Sequence, residues 1–218
     1  MDDLKQLQTR CVAHEIRNHV SICEMYSEII RKNLERDGYS NQSIDNALEC
    51  IRKSLQIITT TLIDLKSINT FEERECDLRY ITEEGCRLAQ AYIHGKDIKL
   101  EYIVKDTCKI LIDENKFLAC IVNIVKNAIE AIENRGEIMV IADVKNDLAT
   151  IRISNNGKMI SKSKQKEIFE EGYTTKATGS GLGLHICQQN LKAQKATLKL
   201  NKSTKNITEF EITIPIHR

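Results

Sequence analysis

Between Ile44 and Leu65 the apolar residues fall at alternating spacings of four and three: Ile44, Leu48, Ile51, Leu55, Ile58, Leu62 and Leu65. That sustained heptad seam predicts one long helix with a continuous apolar stripe. A less regular stripe precedes it, through Leu4, Leu7, Cys11, Ile16, Val20, Cys23, Ile30 and Leu34. Between the two, Asp37-Gly38-Tyr39-Ser40-Asn41 interrupts the pattern with turn residues, and Ser40 or Asn41 is placed to cap the second helix. Residues 1–70 are therefore expected to form an antiparallel helical hairpin. Such a hairpin buries its two stripes poorly alone, and a homodimeric four-helix bundle is the natural solution.

After Asn69-Thr70 the texture changes. A helix is predicted over 76–94. Ile98 to Val104 alternates at strand period, and Lys109-Ile-Leu-Ile112 is a second short strand. Asp113 can cap a helix running to about Asn134, with Arg135-Gly136 as its stop. Strands are predicted over 137–145 and 148–154, a polar loop over 155–180, a helix over 181–193 and strands over 196–201 and 207–215. Helices on one side of a mixed sheet make 71–218 an α/β sandwich, and the whole chain α+β.

Composition narrows the function. Of 218 residues, 41% are hydrophobic, enough for a core, and the net charge is +1. That charge gives no electrostatic case for nucleic acid or an anionic membrane. Trp is absent and aromatics make up 5%, so base-stacking platforms are not expected. No apolar run approaches the roughly 18 residues of a membrane span, and no signal peptide is recognised, so a cytoplasmic protein is expected. The eight Cys include no Cys-x-x-Cys and do not cluster with His, which argues against zinc. They read as reduced core residues.

Three clusters carry candidate chemistry. His14, Glu15 and Asn18 lie within one helical turn, a nucleophilic imidazole beside a carboxylate. Asn123 and Asn127 are i, i+4 in an otherwise apolar helix, and Asn127 can offer an amide oxygen to Mg²⁺. Gly179-Ser180-Gly181-Leu182-Gly183 precedes a helix, where backbone N–H groups can hold phosphate, and Thr174, Thr175 and Lys176 add hydroxyls and a cation. Each has a plainer reading alone: a solvated helix face, hydrogen bonding between helices, a solvated loop.

Taken together, the order of these clusters resembles the core of a two-component sensor histidine kinase, over nearly the whole chain. His14-Glu-Ile-Arg-Asn18 is similar to the phosphoacceptor box, and Asn123 to Ala131 to the Asn-rich ATP-binding box. Ile168 to Lys176 resembles the phenylalanine-containing segment of the ATP lid, and Gly179 to Leu184 the second glycine box. The resemblance implies a dimerisation and phosphotransfer hairpin over 1–70 and a Bergerat-type ATP-binding domain over 71–218. It implies ATP and Mg²⁺ as cofactors, His14 as phosphoacceptor, Glu15 as general base, and Asn18 positioning water in a reverse phosphatase reaction. The implied partners are a second copy of the chain, a response regulator receiver domain and an upstream sensor domain or protein. The His-Glu-Ile-Arg-Asn box is most similar to kinases serving enhancer-binding regulators.

Three departures stand out. In the first glycine box Asn155 occupies the position of an Asp that receives the adenine amino group. Gly157 is kept, but Met159 replaces a glycine. His19 stands where a proline often follows the phosphoacceptor box, so no proline kink is expected. Only about thirteen residues precede His14, so either the sequence is part of a longer protein or sensing is expected to reside elsewhere. A phosphotransfer or scaffold protein with a degenerate ATP domain is the main alternative. Asn127, Thr175, Lys176 and the glycine loop weigh against it. An anti-sigma-factor serine kinase, which shares the ATP fold, lacks a hairpin with a phosphoacceptor box.

Overall fold

The computed structural model of the protein describes residues 16, 19–20, 22–23, 25–39, 41–51, 54–55, 58, 71–93, 96–175 and 181–216. The chain divides into two compact units, Met1–Thr70 and Phe71–Arg218. His14, Glu15, Asn18, Lys176, Gly179 and Ser180 lie outside the described residues, as do Leu62 and Leu65 of the seam.

In the first unit residues 25–36 are helical (α1), and so are 42–51 (α2). The stop between them is chemically explicit. Gly38 takes φ +67°, its N–H donates to the Glu35 carbonyl at 3.1 Å, and the Tyr39 N–H donates to the Leu34 carbonyl at 2.9 Å. This is a Schellman ending, which a glycine without Cβ adopts readily. Asn41 then opens α2, its Oδ1 accepting from the Ser43 N–H at 2.9 Å. Asn41, one of the two predicted caps, thus acts as one, while Ser40 lies outside the described residues. The apolar stripes are incompletely covered within one chain: Ile51 is 45% and Ile58 41% exposed, while Val20 is buried.

The second unit opens with β1 (Arg74–Asp77), α3 (Leu78–Ala89), β2 (Asp97–Val104), β3 (Lys109–Ile112) and α4 (Glu114–Ala131). It continues with β4 (Arg135–Lys145), β5 (Leu148–Asn155), α5 (Gly183–Ala193), β6 (Thr197–Ser203) and β7 (Thr208–Pro215). Five strands form a mixed sheet in the order β2-β4-β5-β7-β6, parallel at β2–β4 and antiparallel elsewhere. A separate antiparallel ribbon pairs β1 with β3. All three helices pack against the sheet, which makes the unit an α/β sandwich.

Alternation explains the layers. Val140, Ala142, Ile151, Ile153, Phe210 and Ile212 point inward and are buried. Their neighbours on the opposite face, Thr150, Arg152, Glu209 and Glu211, are half-buried and partly paired, Lys199 Nζ meeting Glu211 Oε1 at 2.7 Å. Asn146 and Asp147 take φ 50° and 59°, the left-handed pair that closes the two-residue β4–β5 hairpin. From the helix side Phe117, Ile121, Ile124 and Val125 of α4 are fully buried.

Several predicted boundaries move. Residues 74–77 form a strand, so the helix predicted over 76–94 begins at Leu78, where Asp77 caps it by accepting from the Arg79 N–H at 2.8 Å. Arg135-Gly136 does not merely stop α4, which ends at Ala131; it begins β4. The polar stretch 155–180 contains two short 3₁₀ turns, Lys162–Lys164 and Glu167–Phe169. The Cys residues are not uniformly core: Cys76, Cys86, Cys120 and Cys187 are buried, but Cys23 and Cys50 are exposed. Burial pushes the Cys86 thiol up to about 12, so it stays protonated and inert.

Candidate functional site

Helix α4 is fixed at both ends. At its start the buried Asp113 accepts from the Lys116 N–H at 3.0 Å and from the Glu72 N–H at 2.9 Å. The Asp113 N–H itself donates to Gln194 Oε1 at 2.8 Å. At the C-terminus the Lys96 ammonium reaches the Ile129 carbonyl at 3.0 Å and also the Ile132 carbonyl. A cation suits that negative end of the helix dipole. The Lys158 N–H donates to the Ala131 carbonyl at 2.8 Å. That bond draws the segment after β5 against the last turn of α4. Lys96 and Lys158 were not singled out from the sequence, which carries no signal for an ammonium or a backbone N–H brought from another element to the end of a helix.

The same bond places the first glycine box. Asn155 ends β5 opposite Ile138 on one side and Thr208 on the other. The residue is 5% exposed, and its Nδ2 is a buried donor with no partner. A Cβ on Gly157 would fall 2.8 Å from that Nδ2 and 2.5 Å from the Ala131 carbonyl oxygen. Only glycine leaves the amide this room. Asn156 turns the other way, its Oδ1 accepting from the Glu137 N–H at 2.9 Å, and so holds the segment to β4.

The two asparagines of α4 have different surroundings. Asn123 donates from Nδ2 to Cys187 Sγ at 3.3 Å, and its amide fills the space a Cβ on Gly183 would take, 2.5 Å away. It therefore seats α5 against α4. Asn127, one turn on, is half-buried. The N-cap residue of α5 is the apolar Leu182, whereas the carboxylates of Asp77 and Asp113 cap α3 and α4.

Beside these elements runs the segment from 158 to 175. It is held at its beginning by the Ile160 N–H on Ser203 Oγ at 2.9 Å, and further on by Phe169, edge-on to Phe210 with centroids 6.3 Å apart. His185 ties it to α5: Nδ1 lies 3.1 Å from the Phe169 carbonyl oxygen and Nε2 2.8 Å from Gln189 Nε2. Gly172 and Gly181 both have positive φ, and a Cβ on Gly181 would fall on the Gly172 carbonyl group. Gly172 and Gly181 thus lie directly against each other. Thr174 and Thr175 sit exposed just beyond Gly172. His185 went unremarked in the sequence because a lone His on a helix face signals nothing by itself.

The described residues thus gather Asn155 and Gly157 at the C-terminal end of α4, Asn123 beside Gly183, and Gly181 against Gly172. Among the described residues no cluster of three His, Cys, Asp or Glu side chains could hold a metal ion by itself. Any cation here would take most of its oxygens from a ligand or water. Magnesium binds in that way, and Asn127 has a suitable amide oxygen. The unpartnered Asn155 amide and the space before Gly157 fit the polar edge of a planar base. Among the described residues no helix is long and apolar enough to cross a membrane.

Residues 112–218 match the family described as Histidine kinase-, DNA gyrase B-, and HSP90-like ATPase. Over 94% of its length the chain is 24% identical to sporulation kinase B of Bacillus subtilis (strain 168), covering 48% of that protein. It is 27% identical over 94% of its length to the signal transduction histidine-protein kinase AtoS of Escherichia coli (strain K12), covering 34% of that protein. The chain thus spans about half or less of these relatives. Among solved structures, the catalytic domain of histidine kinase ThkA superposes with a TM-score of 0.60 at 24% identity, over 66% of this chain and 95% of that one. Full-length ShkA in complex with AMPPNP gives 0.61 at 18%, over 95% of this chain and 45% of that one. The second unit of this chain thus has the fold of a histidine kinase catalytic domain, and its residues 112–218 match the ATPase family.

Proposed function

We propose that this chain is the kinase core of a two-component sensor. It binds ATP in the second unit, transfers the γ-phosphoryl group to His14, and passes it to an Asp of a response regulator. The reverse, phosphatase reaction belongs to the same reading. The observation that carries it is the buried, unpartnered Asn155 amide facing the space that Gly157 keeps open. A buried donor left unmade is costly, and a ligand edge completes it.

The remaining roles follow from position and chemistry. Thr174, Thr175, Lys176 and the backbone of Gly179-Ser180-Gly181-Leu182-Gly183 hold the phosphates, helped by the positive end of α5. Asn127 offers its oxygen to Mg²⁺, which neutralises charge on the phosphates when bound. Asn123 positions α5 through Cys187 and Gly183. On the first unit Glu15 accepts the imidazole proton as His14 attacks the γ-phosphorus and ADP departs, and Asn18 orients water for the reverse step.

The half-exposed apolar stripes of the first unit support a homodimer with a four-helix bundle as its seam. Leu55→Glu would place a charge in that seam. It is expected to yield monomers or unfolded protein in sedimentation, and a dimer of unchanged stability would refute the bundle.

A second reading keeps the hairpin as a phosphotransfer or scaffold module beside an ATP domain that no longer binds nucleotide. Asn155 in the place of an acidic residue is what favours it. Incubation with γ-labelled ATP separates the two. The kinase reading expects label on His14 that is lost in acid and kept in alkali, and absence of both nucleotide binding and label would favour the scaffold.

A further inference from the structure

Asn155 is more than a neutral stand-in for a carboxylate. The residue is almost fully enclosed, its backbone pairs with Ile138 and Thr208 across the sheet, and its amide faces Gly157 beside the end of α4. In that enclosure the unsatisfied atom is a donor, Nδ2. A carboxylate in the same place would present acceptors alone. The polarity of the site is thus changed where it meets its ligand, while the glycine that keeps the space open is retained.

We propose that Asn155 makes this a site for 6-oxopurine nucleotides, of the inosine and guanosine type, as well as for adenosine nucleotides. The inference rests on the nucleotide-binding reading above and concerns which base it takes. Adenine presents a donor at its 6-amino group beside an acceptor at ring nitrogen 1. A 6-oxopurine presents the reverse, an acceptor oxygen beside a ring N–H donor. An amide carries one donor and one acceptor side by side, so it pairs with either edge by turning over. A carboxylate accepts from the 6-amino group but sets a negative oxygen against a 6-oxo group. Discrimination at such a buried polar contact is steep, because the wrong base leaves groups unpaired. Asn155 removes that discrimination and also loses the stronger bond of an ionised acceptor.

ADP and IDP are the probes, because they differ only at this edge and carry no transferable γ-phosphoryl group. Both are titrated by calorimetry, with Mg²⁺, into the full chain and into Asn155→Asp and Asn155→Ala. The unaltered protein is expected to bind IDP within about threefold of ADP. Asn155→Asp is expected to bind ADP about tenfold tighter and IDP at least about tenfold weaker. Asn155→Ala, which buries no charge and so protects the test if the Asp variant misfolds, is expected to weaken IDP about fivefold or more. If the unaltered protein binds ADP but rejects IDP, or if neither substitution moves either affinity, the inference fails and the nucleotide site stands. Should neither diphosphate bind the unaltered protein, the nucleotide reading fails and takes the inference with it.

Discussion

Replacing His14 by Gln is expected to cut acid-labile phosphorylation to less than about 1% of the unaltered level. ATP binding should stay within about twofold. Glutamine keeps a polar side chain of similar reach on the helix but has no nucleophilic nitrogen, because its amide lone pair is delocalised. The base and phosphate contacts proposed here all belong to residues after 120, so a change at residue 14 should not alter them. A filter assay with γ-labelled ATP beside a calorimetric titration reads both halves. Acid-labile label persisting on the variant would place the phosphoacceptor elsewhere.

Asn127→Ala is expected to produce the second large loss, about 100-fold in Mg²⁺-dependent phosphorylation. Asn127 sits one turn beyond Asn123 on α4, half-buried, at the end of the helix that also receives Lys158 and faces Gly157. Alanine is the better helix former by roughly half a kcal/mol, so α4 itself is not weakened by the change in propensity. Phosphorylation rates measured across a range of Mg²⁺ concentrations read the effect. Rates equal to those of the unaltered protein would make Asn127 a packing residue, as Asn123 is towards Gly183.

The contrast between those two asparagines marks how far the sequence could be read. Helix α4, its Asp113 cap and the alternation of β4 and β5 were legible because each is a local pattern with one physical reading. Strand β1 was not, since Arg74-Glu-Cys-Asp77 has no clear alternation and becomes a strand only by pairing with β3. Arg135-Gly136 looked like a stop for a similar reason. Its strand character comes from parallel pairing with Asp97-Ile98, far away in the chain. In the candidate site, residue types and order were readable, and so was the neutral Asn155. The orphaned Nδ2, the Asn123–Cys187 bond and the hold of His185 on Phe169 are tertiary facts. No spacing in the chain announces them.

The meeting of Gly172 and Gly181 has a consequence for how this protein can be altered. The span between them is closed at its base, so its length is nearly uncoupled from the rest of the domain. Doubling such a span costs only about 0.6 kcal/mol in closure entropy. Foreign sequence grafted there is expected to leave the sheet and α5 in place, provided both glycines are kept, but to interrupt the residues from Thr174 to Ser180 proposed to hold the phosphates, and so to separate folding from ATP binding. A side chain at residue 181 would instead push the two strands of the junction apart and remove that tolerance.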